Sequence, residues 1–459
     1  MLYMEANLAT NDYSGVVGPS VAVRSMAVRH GNRGHLIMGD LHVQKMGKKE
    51  YDQVDNTKRF WIYNDYERGF AEAKKSGKPL LVVLRCIPCL ACAGIDAKVL
   101  LENTELSPVL DKFVCVRVIN ANALDLSRFQ FDFDLSFTTM IFNGDGTLYG
   151  RYGSWTHQKD PREEATEGFR RTLETALAIH KSYPANKASL MGKQSRPTPF
   201  KTPVEMPTIQ GKYTRNLDWE GKIVASCVHC HQIGDAMRTV HRDRKERIPS
   251  NLVYPFPPPE TIGLELALDH VARIKAVAKG TVAYKAGLRA GDDIVSLDGQ
   301  PLVSIADVSW ALHQTPDNAA IKAVIRRSGK SSTKTLALPE GWRYQSDISR
   351  RVGTWGMRAM ALGGLLLEEL SDEERARRGL KKDKLALFAK HVGEYGEHAA
   401  AKQAGFKKED VIVEIDGSSA RQSESELIGR LLKVYQPGAM VKATVLRGNE
   451  RVELMLPMQ

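Results

Sequence analysis

The chain is 459 residues long, enough for two to four domains at roughly 100 to 200 residues each. Hydrophobic residues at 42% and charged residues at 26% exclude wholesale disorder, a collagen-like repeat and a mostly membrane-embedded chain. Lys and Arg outnumber Asp and Glu by 65 to 54, a net charge of +11. That excess is compatible with a membrane surface, but the basic residues are scattered without an aromatic-studded groove, so nucleic acid is not expected as a partner. No run of about 18 apolar residues encodes a spanning helix. Six cysteines are too few for a disulfide scaffold, and five of them fall into two CxxC-type clusters, which points to chemistry.

Residues 1–50 carry Glu5 where a secretion signal would have a basic start and an apolar run, so no signal peptide is visible. His30 and Asp40, with nine residues between them, lie in a segment that resembles the C-terminal tail of prepilin-type proteins, with Leu41 in place of the usual Gly. The alternative is a loose polar arm.

Residues 51–182 form the first expected domain, alternating helix-like and strand-like stretches. A charged helical pattern over 66–75 ends at Gly77, and a nearly all-apolar run over 79–85 reads as a strand covered on both faces. Similar runs follow at 113–119 and 138–142, the second stopping at the turn signal Asn143-Gly144-Asp145-Gly146 and leading into a strand over 147–152. Residues 163–180 read as a closing amphipathic helix.

Directly after the first apolar run comes Cys86-Ile87-Pro88-Cys89-Leu90-Ala91-Cys92, followed by a helical stretch. A thiol at a helix start meets unpaired N–H groups and the positive end of the dipole, which favour the thiolate. Strand, CxxC and helix in this order resemble the thioredoxin-like family. The resemblance implies that Cys89 attacks, Cys92 resolves and Cys86 is an extra thiol one turn upstream. Val83 stands where many thioredoxins keep a buried Asp, Phe137 where they keep a cis-Pro, and Leu90-Ala91 where they have a polar or Pro-containing pair. A metal or iron–sulfur site and purely structural thiols are the competing readings, although the fourth Cys of a ferredoxin-type run is absent. Cys115, in an apolar strand pattern, reads as a core residue.

Residues 183–215, rich in Pro, Lys, Ser and Thr, read as a linker, and 249–259, with three consecutive prolines, as a stiffer one. Between them, residues 216–248 hold Cys227-Val228-His229-Cys230-His231, then Gln232-Ile233-Gly234. Two Cys two residues apart with an adjacent His suit covalent haem attachment, with Cys227 and Cys230 on the vinyl groups and His231 on the iron. Met237, Met357 and His241 are candidate sixth ligands. Zinc on Cys227, Cys230, His231 and either His229 or His241 is the alternative cofactor, and a simple thiol pair is a third reading.

The last 200 residues contain a repeat: 283–299, with Ala286-Gly287-Leu288-Arg289-Ala290-Gly291-Asp292-Asp293-Ile294-Val295, recurs as 401–417. The repeated segment resembles the PDZ family in its circularly permuted bacterial form, placing modules at 260–340 and 350–459. The second copy has Lys408 and Glu409 where the first has Ala290 and Gly291. PDZ modules bind extended chain ends by strand addition. By resemblance, Ile262, Gly263, Leu264 and Leu266 form the capturing loop and strand of the first module, and Leu362-Gly363-Gly364-Leu365 a poorer counterpart in the second. Bulk at Gly263 is expected to block the incoming chain end.

The expected architecture is a multidomain α/β plus β-rich chain, a thioredoxin-like domain followed by two PDZ domains built as partly open barrels with helices. It resembles bacterial envelope proteins that join these modules, which implies a periplasmic or cell-envelope location. The expected function is thiol–disulfide exchange on protein clients held by their C-termini, with a redox partner protein and the CxxCH site as an electron relay or sensor. The alternative is a non-catalytic PDZ scaffold or small c-type cytochrome. No Gly-x-Ser-x-Gly elbow accompanies the modules, so a serine protease is not expected.

Overall fold

The computed structural model describes residues 25–30, 35–40, 61–85, 104–135, 137–153, 162–219 and 223–459. Near the N-terminus, β1 (Ser25–His30) and β2 (His35–Asp40) pair antiparallel, with His30 opposite His35 and Ser25 opposite Asp40.

A five-stranded mixed sheet organises the next unit. Its strands are β3 (Ile62–Tyr63), β4 (Leu80–Arg85), β5 (Val114–Val118), β6 (Phe137–Phe142) and β7 (Leu148–Tyr152), in the spatial order β3-β5-β4-β6-β7. The first three are parallel and the last two antiparallel. Helix α1 (Tyr66–Ser76) starts where the Asp65 carboxylate accepts the Arg68 N–H at 2.9 Å and stops at Gly77, whose φ of 68° suits the left-handed cap. The apolar run of β4 reflects burial on both faces. Leu80, Val82 and Leu84 enter one core, while Leu81 and Val83 enter the other. Helix α2 (Arg162–Lys181) closes the second of these cores with Phe169, Leu173 and Ala176.

Residues 183–215, expected as a linker, are packed against this unit. Leu190, Met206 and Ile209 are buried, and Met206 and Ile209 join the core of Leu80, Val82 and Leu84. Helix α3 (Cys230–Asp243) docks on that same core through Ile233 and Ala236, with Val228 just before it. A few apolar residues in a polar stretch thus suffice to fix the chain, a signal too sparse for a periodicity argument.

The C-terminal half carries a similar element order twice, the first copy adding a short strand and the second a helix. The first copy runs β8 (Leu264–Leu266), β9 (Ile274–Val277), α4 (Val282–Lys285), β10 (Asp293–Leu297), β11 (Gln300–Pro301), α5 (Ile305–Gln314), β12 (Ala319–Arg327) and β13 (Lys330–Leu338). The second is preceded by α6 (Thr354–Leu362) and runs β14 (Leu365–Glu369), α7 (Asp372–Arg377), β15 (Leu387–Val392), α8 (Ala400–Gln403), β16 (Val411–Ile415), α9 (Glu424–Val434), β17 (Met440–Arg447) and β18 (Glu450–Pro457). Side-chain chemistry repeats as well. Arg327 Nε bonds Asp292 Oδ1 at 2.6 Å while Asp292 Oδ2 accepts the Arg289 N–H. Arg447 Nε bonds Asp410 Oδ1 at 2.8 Å while Asp410 Oδ2 accepts the Lys407 N–H. The odd residue of the repeat, Glu409, takes the left-handed φ of 75° that Gly291 takes at 87°.

The units are bolted together by buried charge. Lys193, at 0% exposure, pairs with Asp307 of α5, and Arg151 of β7 lies 3.5 Å above the Trp310 ring of the same helix. Arg351 bridges Asp132 and Asp134, its Nε 2.9 Å from Asp134 Oδ2. Burial pushes Asp132 up to about 6, with Arg351 opposing and Asp134 adding to the shift. The segment 249–259, expected as a second linker, is also packed: the Tyr254 hydroxyl donates to Ser425 O at 2.7 Å, and Phe256 stacks on His313 at 4.3 Å.

Candidate functional site

Cys86, Cys89 and Cys92 lie outside the described residues, as does the stretch that follows them. The strand that feeds them is described. β4 ends at Arg85, which pairs across the sheet with Phe137, so the position expected for the family's cis-Pro borders the strand end from which the cysteines leave. Val83 is fully buried, and no carboxylate occupies its position. Cys115 is buried at 5% in the core closed by α2, in line with a packing role.

The second cysteine pair sits against the same end of the sheet. Cys227 is 1% exposed and packs with Ile119, Leu217 and Ile223, while Cys230 is partly exposed and opens helix α3. Both line a cleft of about 10 Å³ with Leu84, Val118, Ile119, Ala121, Leu124 and Val228. Burial, aided by the nearby Cys230 sulfur, pushes the Cys227 thiol up to about 12. The backbone around Cys227 is held by Asn122, a fully buried residue after β5. Its Oδ1 accepts the Val228 N–H at 2.7 Å, and its Nδ2 donates to Ser226 O at 2.8 Å and Thr214 O at 2.7 Å. Nothing in the sequence marked Asn122, because a lone Asn in a loop looks like any turn residue.

This geometry does not fit haem. Cofactor-sized pockets run to roughly 300–1,000 Å³, whereas the cleft has room for about one water. His231 Nδ1 lies 3.6 Å from Asp235 Oδ2, while Asp235 Oδ1 accepts from Arg238 at 2.7 Å. The proposed sixth ligands are scattered. Met357 is buried at 1% in the core of the second repeat, and Met237 packs against the thioredoxin-like core. His241 stands ten residues along α3 from His231, about 15 Å at the helical rise, and its Nδ1 contacts Glu246 at 3.0 Å. For zinc, His241 meets the same separation, while buried His229 lies close to His231 with ring centroids 5.7 Å apart; yet among the described residues no group of three or more His, Cys, Asp or Glu side chains is arranged to hold a metal.

In the first repeat, Ile262, Leu264 and Leu266 are buried in one core with Val308 and Leu312 of α5. Gly263 O accepts the Ala278 N–H at 2.9 Å and Ala267 donates to Arg273 O at 2.8 Å. By the alternation of an antiparallel ladder, the N–H groups of Leu264 and Leu266 then point away from β9, toward the open edge of a two-stranded sheet. The loop itself is less open than expected, since the Gly263 N–H donates to Glu260 O at 2.9 Å. A side chain at Gly263 would not enter the groove either: with φ at 88°, a β-carbon there collides with the Thr281 side chain, which caps α4. The second repeat differs at its strand edge. The Leu367 N–H donates to Glu424 Oε1 at 2.8 Å, and that carboxylate is paired with Arg358 of α6 in a buried bridge.

Comparison with known proteins agrees with this architecture. A thioredoxin-like family profile matches residues 61–144, and a PDZ domain profile matches residues 273–327. The chain contains a thioredoxin-like domain and a PDZ domain. Among curated relatives, the periplasmic pH-dependent serine endoprotease DegQ of Escherichia coli (strain K12) is 26% identical over 191 residues, 42% of this chain and 37% of DegQ. The periplasmic serine endoprotease DegP of Salmonella typhimurium is 26% identical over 186 residues, 40% of this chain and 34% of DegP. The chain therefore spans little more than a third of the length of these relatives. A solved structure described as the HtrA-type protease AlgW with decapeptide matches at 20% identity, covering 30% of this chain and 40% of that one, with a TM-score of 0.20. No helix among the described residues is long and apolar enough to cross a membrane.

Proposed function

We propose that this chain is a thiol–disulfide exchange protein of the cell envelope that holds protein clients by their C-termini on its PDZ domain. Cys89 is the attacking thiol and Cys92 the resolving one. Client and protein exchange two electrons as one disulfide breaks and another forms, through a mixed disulfide on Cys89. The observation that carries the reading is the strand order of the thioredoxin-like domain, in which the doubly buried β4 runs straight into the Cys86–Cys92 sequence. The outward N–H groups of Leu264 and Leu266 support strand addition at the first repeat. We read the second repeat as a PDZ-like module whose edge is closed by Glu424. The periplasmic description of the relatives supports the envelope location.

Two measurements test this. Reduction of insulin disulfides driven by a small dithiol should be catalysed by the full chain and lost in Cys89→Ser. Fluorescence anisotropy should find free-acid peptides bound more tightly than their amidated forms. A second reading, a non-catalytic PDZ scaffold, is favoured by Val83 and Phe137, which depart from the thioredoxin pattern; it predicts peptide binding with no reductase activity in the unaltered chain.

A further inference from the structure

We propose that Cys227 and Cys230 are a second dithiol–disulfide couple, in which Cys230 receives the incoming sulfur and Cys227 resolves the mixed disulfide. Five observations meet at this pair. Cys230 is the first residue of a 14-residue helix, where backbone N–H groups lack helical partners and the dipole favours developing thiolate charge. It is also the more accessible of the two, whereas Cys227 is enclosed by Ile119, Leu217 and Ile223. Both cysteines line one cleft and are three positions apart in the chain, so Cys227 is the thiol placed to meet a sulfur bound to Cys230. The fourth and fifth concern rigidity and alternatives. Asn122 grips the backbone at residues 226 and 228, on either side of Cys227, which holds the resolving thiol in place. The cleft is far too small for haem, and among the described residues no group of three or more His, Cys, Asp or Glu side chains is arranged to hold a metal.

The order of attack is the reverse of that expected for Cys89 and Cys92, because here the helix begins at the second cysteine of the motif. A disulfide of the glutathione class is the oxidant. The Cys230 thiolate attacks one of its sulfurs, the S–S bond breaks, and the first thiol leaves with a proton. Cys227 then loses its proton and attacks Cys230, displacing the second thiol. The products are the Cys227–Cys230 disulfide and two thiols, with two electrons passed from the protein to the oxidant. Leu84, which lines the cleft, precedes Cys86 by two residues, so the couple opens beside the end of β4. The proposal does not depend on activity at Cys89 and Cys92.

The full chain can be equilibrated with reduced and oxidised glutathione, quenched with acid, alkylated and digested with trypsin. Cleavage after Lys222 and Arg238 puts Cys227 and Cys230 alone in one peptide, separate from the peptide bearing Cys86, Cys89 and Cys92. The expected result is a reversible loss of two hydrogens from the 223–238 peptide across the redox series. In the reduced folded protein, Cys230 should alkylate about tenfold faster than Cys227. Cys227→Ser should leave glutathione attached to Cys230, while Cys230→Ser should leave Cys227 unmodified. Covalent haem on the peptide, zinc bound in stoichiometric amount, two free thiols at every glutathione ratio, or glutathione on Cys227 in preference to Cys230 would each overturn the assignment.

Discussion

Asn122 accepts the Val228 N–H at 2.7 Å with its side-chain oxygen while its nitrogen donates to Ser226 O, so one residue of the thioredoxin-like domain clamps both neighbours of Cys227. Asn122→Ala leaves these buried groups without their partner, a loss of about 1–3 kcal/mol. We expect a lower urea midpoint and faster alkylation of Cys227 in the folded protein. Unchanged protection of Cys227 would show that the surrounding apolar side chains suffice.

The Lys193–Asp307 pair joins the segment after the thioredoxin-like domain to the PDZ helix, with both side chains almost fully buried. Asp307 also accepts the N–H groups of Arg151 at 3.1 Å and Val303 at 3.0 Å. Asp307→Ala strands a buried ammonium and should cost about 3–5 kcal/mol. Lys193→Met should cost less, because the carboxylate keeps its two backbone donors. Denaturation curves that rank the two variants the other way would refute this account of the junction.

Gly291 and Glu409 hold the same left-handed backbone at the same turn of the repeat, and their N–H groups make matching bonds to Ile274 O and Ala389 O. Gly291→Ala should lower stability by about 1 kcal/mol, since a β-carbon is disfavoured at that φ. Glu409→Gly should raise it by up to about 1 kcal/mol, the relief of strain exceeding the added chain entropy. Thermal midpoints shifting in these opposite directions are the expected outcome.

His313 stacks on Phe256 and accepts the Phe256 N–H on Nδ1 at 3.3 Å. Burial, with Arg343, Arg151 and Arg351 nearby, pushes its pKa down to about 3. The unfolded imidazole takes up a proton near pH 6.5 and the folded one does not. Its contribution is therefore present above pH 6.5 and is lost as pH falls from 6.5 toward 3, at up to about 1.4 kcal/mol per pH unit. His313→Gln, which keeps an acceptor without titrating, should flatten the dependence of the urea midpoint over this range. An equal slope in the variant would place the acid sensitivity elsewhere.

Much of the fold was legible because its signals are local. The doubly buried β4, the helix ending at Gly77 and the turn after Phe142 follow from apolar runs and turn chemistry within a few residues of each other. The repeat was legible because similar short segments recur 118 positions apart, at 283–299 and 401–417, and fold into the same order of elements. The CxxCH string was legible too, but its chemistry was not, since haem, zinc and a dithiol share that spacing and differ in the space and ligands around it.

By itself, the sequence determined the thioredoxin-like strand pattern, the repeated modules and the two cysteine clusters, because hydrophobic period and motif spacing act over short distances. Tertiary structure alone decided that residues 183–215 and 249–259 are packed rather than free, that Gly263 faces Thr281, and that Glu424 covers the strand edge of the second repeat. These outcomes hang on single residues such as Asn122, Lys193 and Asp307, whose partners are far away in the chain. A polar residue carries no local mark of whether water or a buried partner will satisfy it; only the assembled fold supplies that answer.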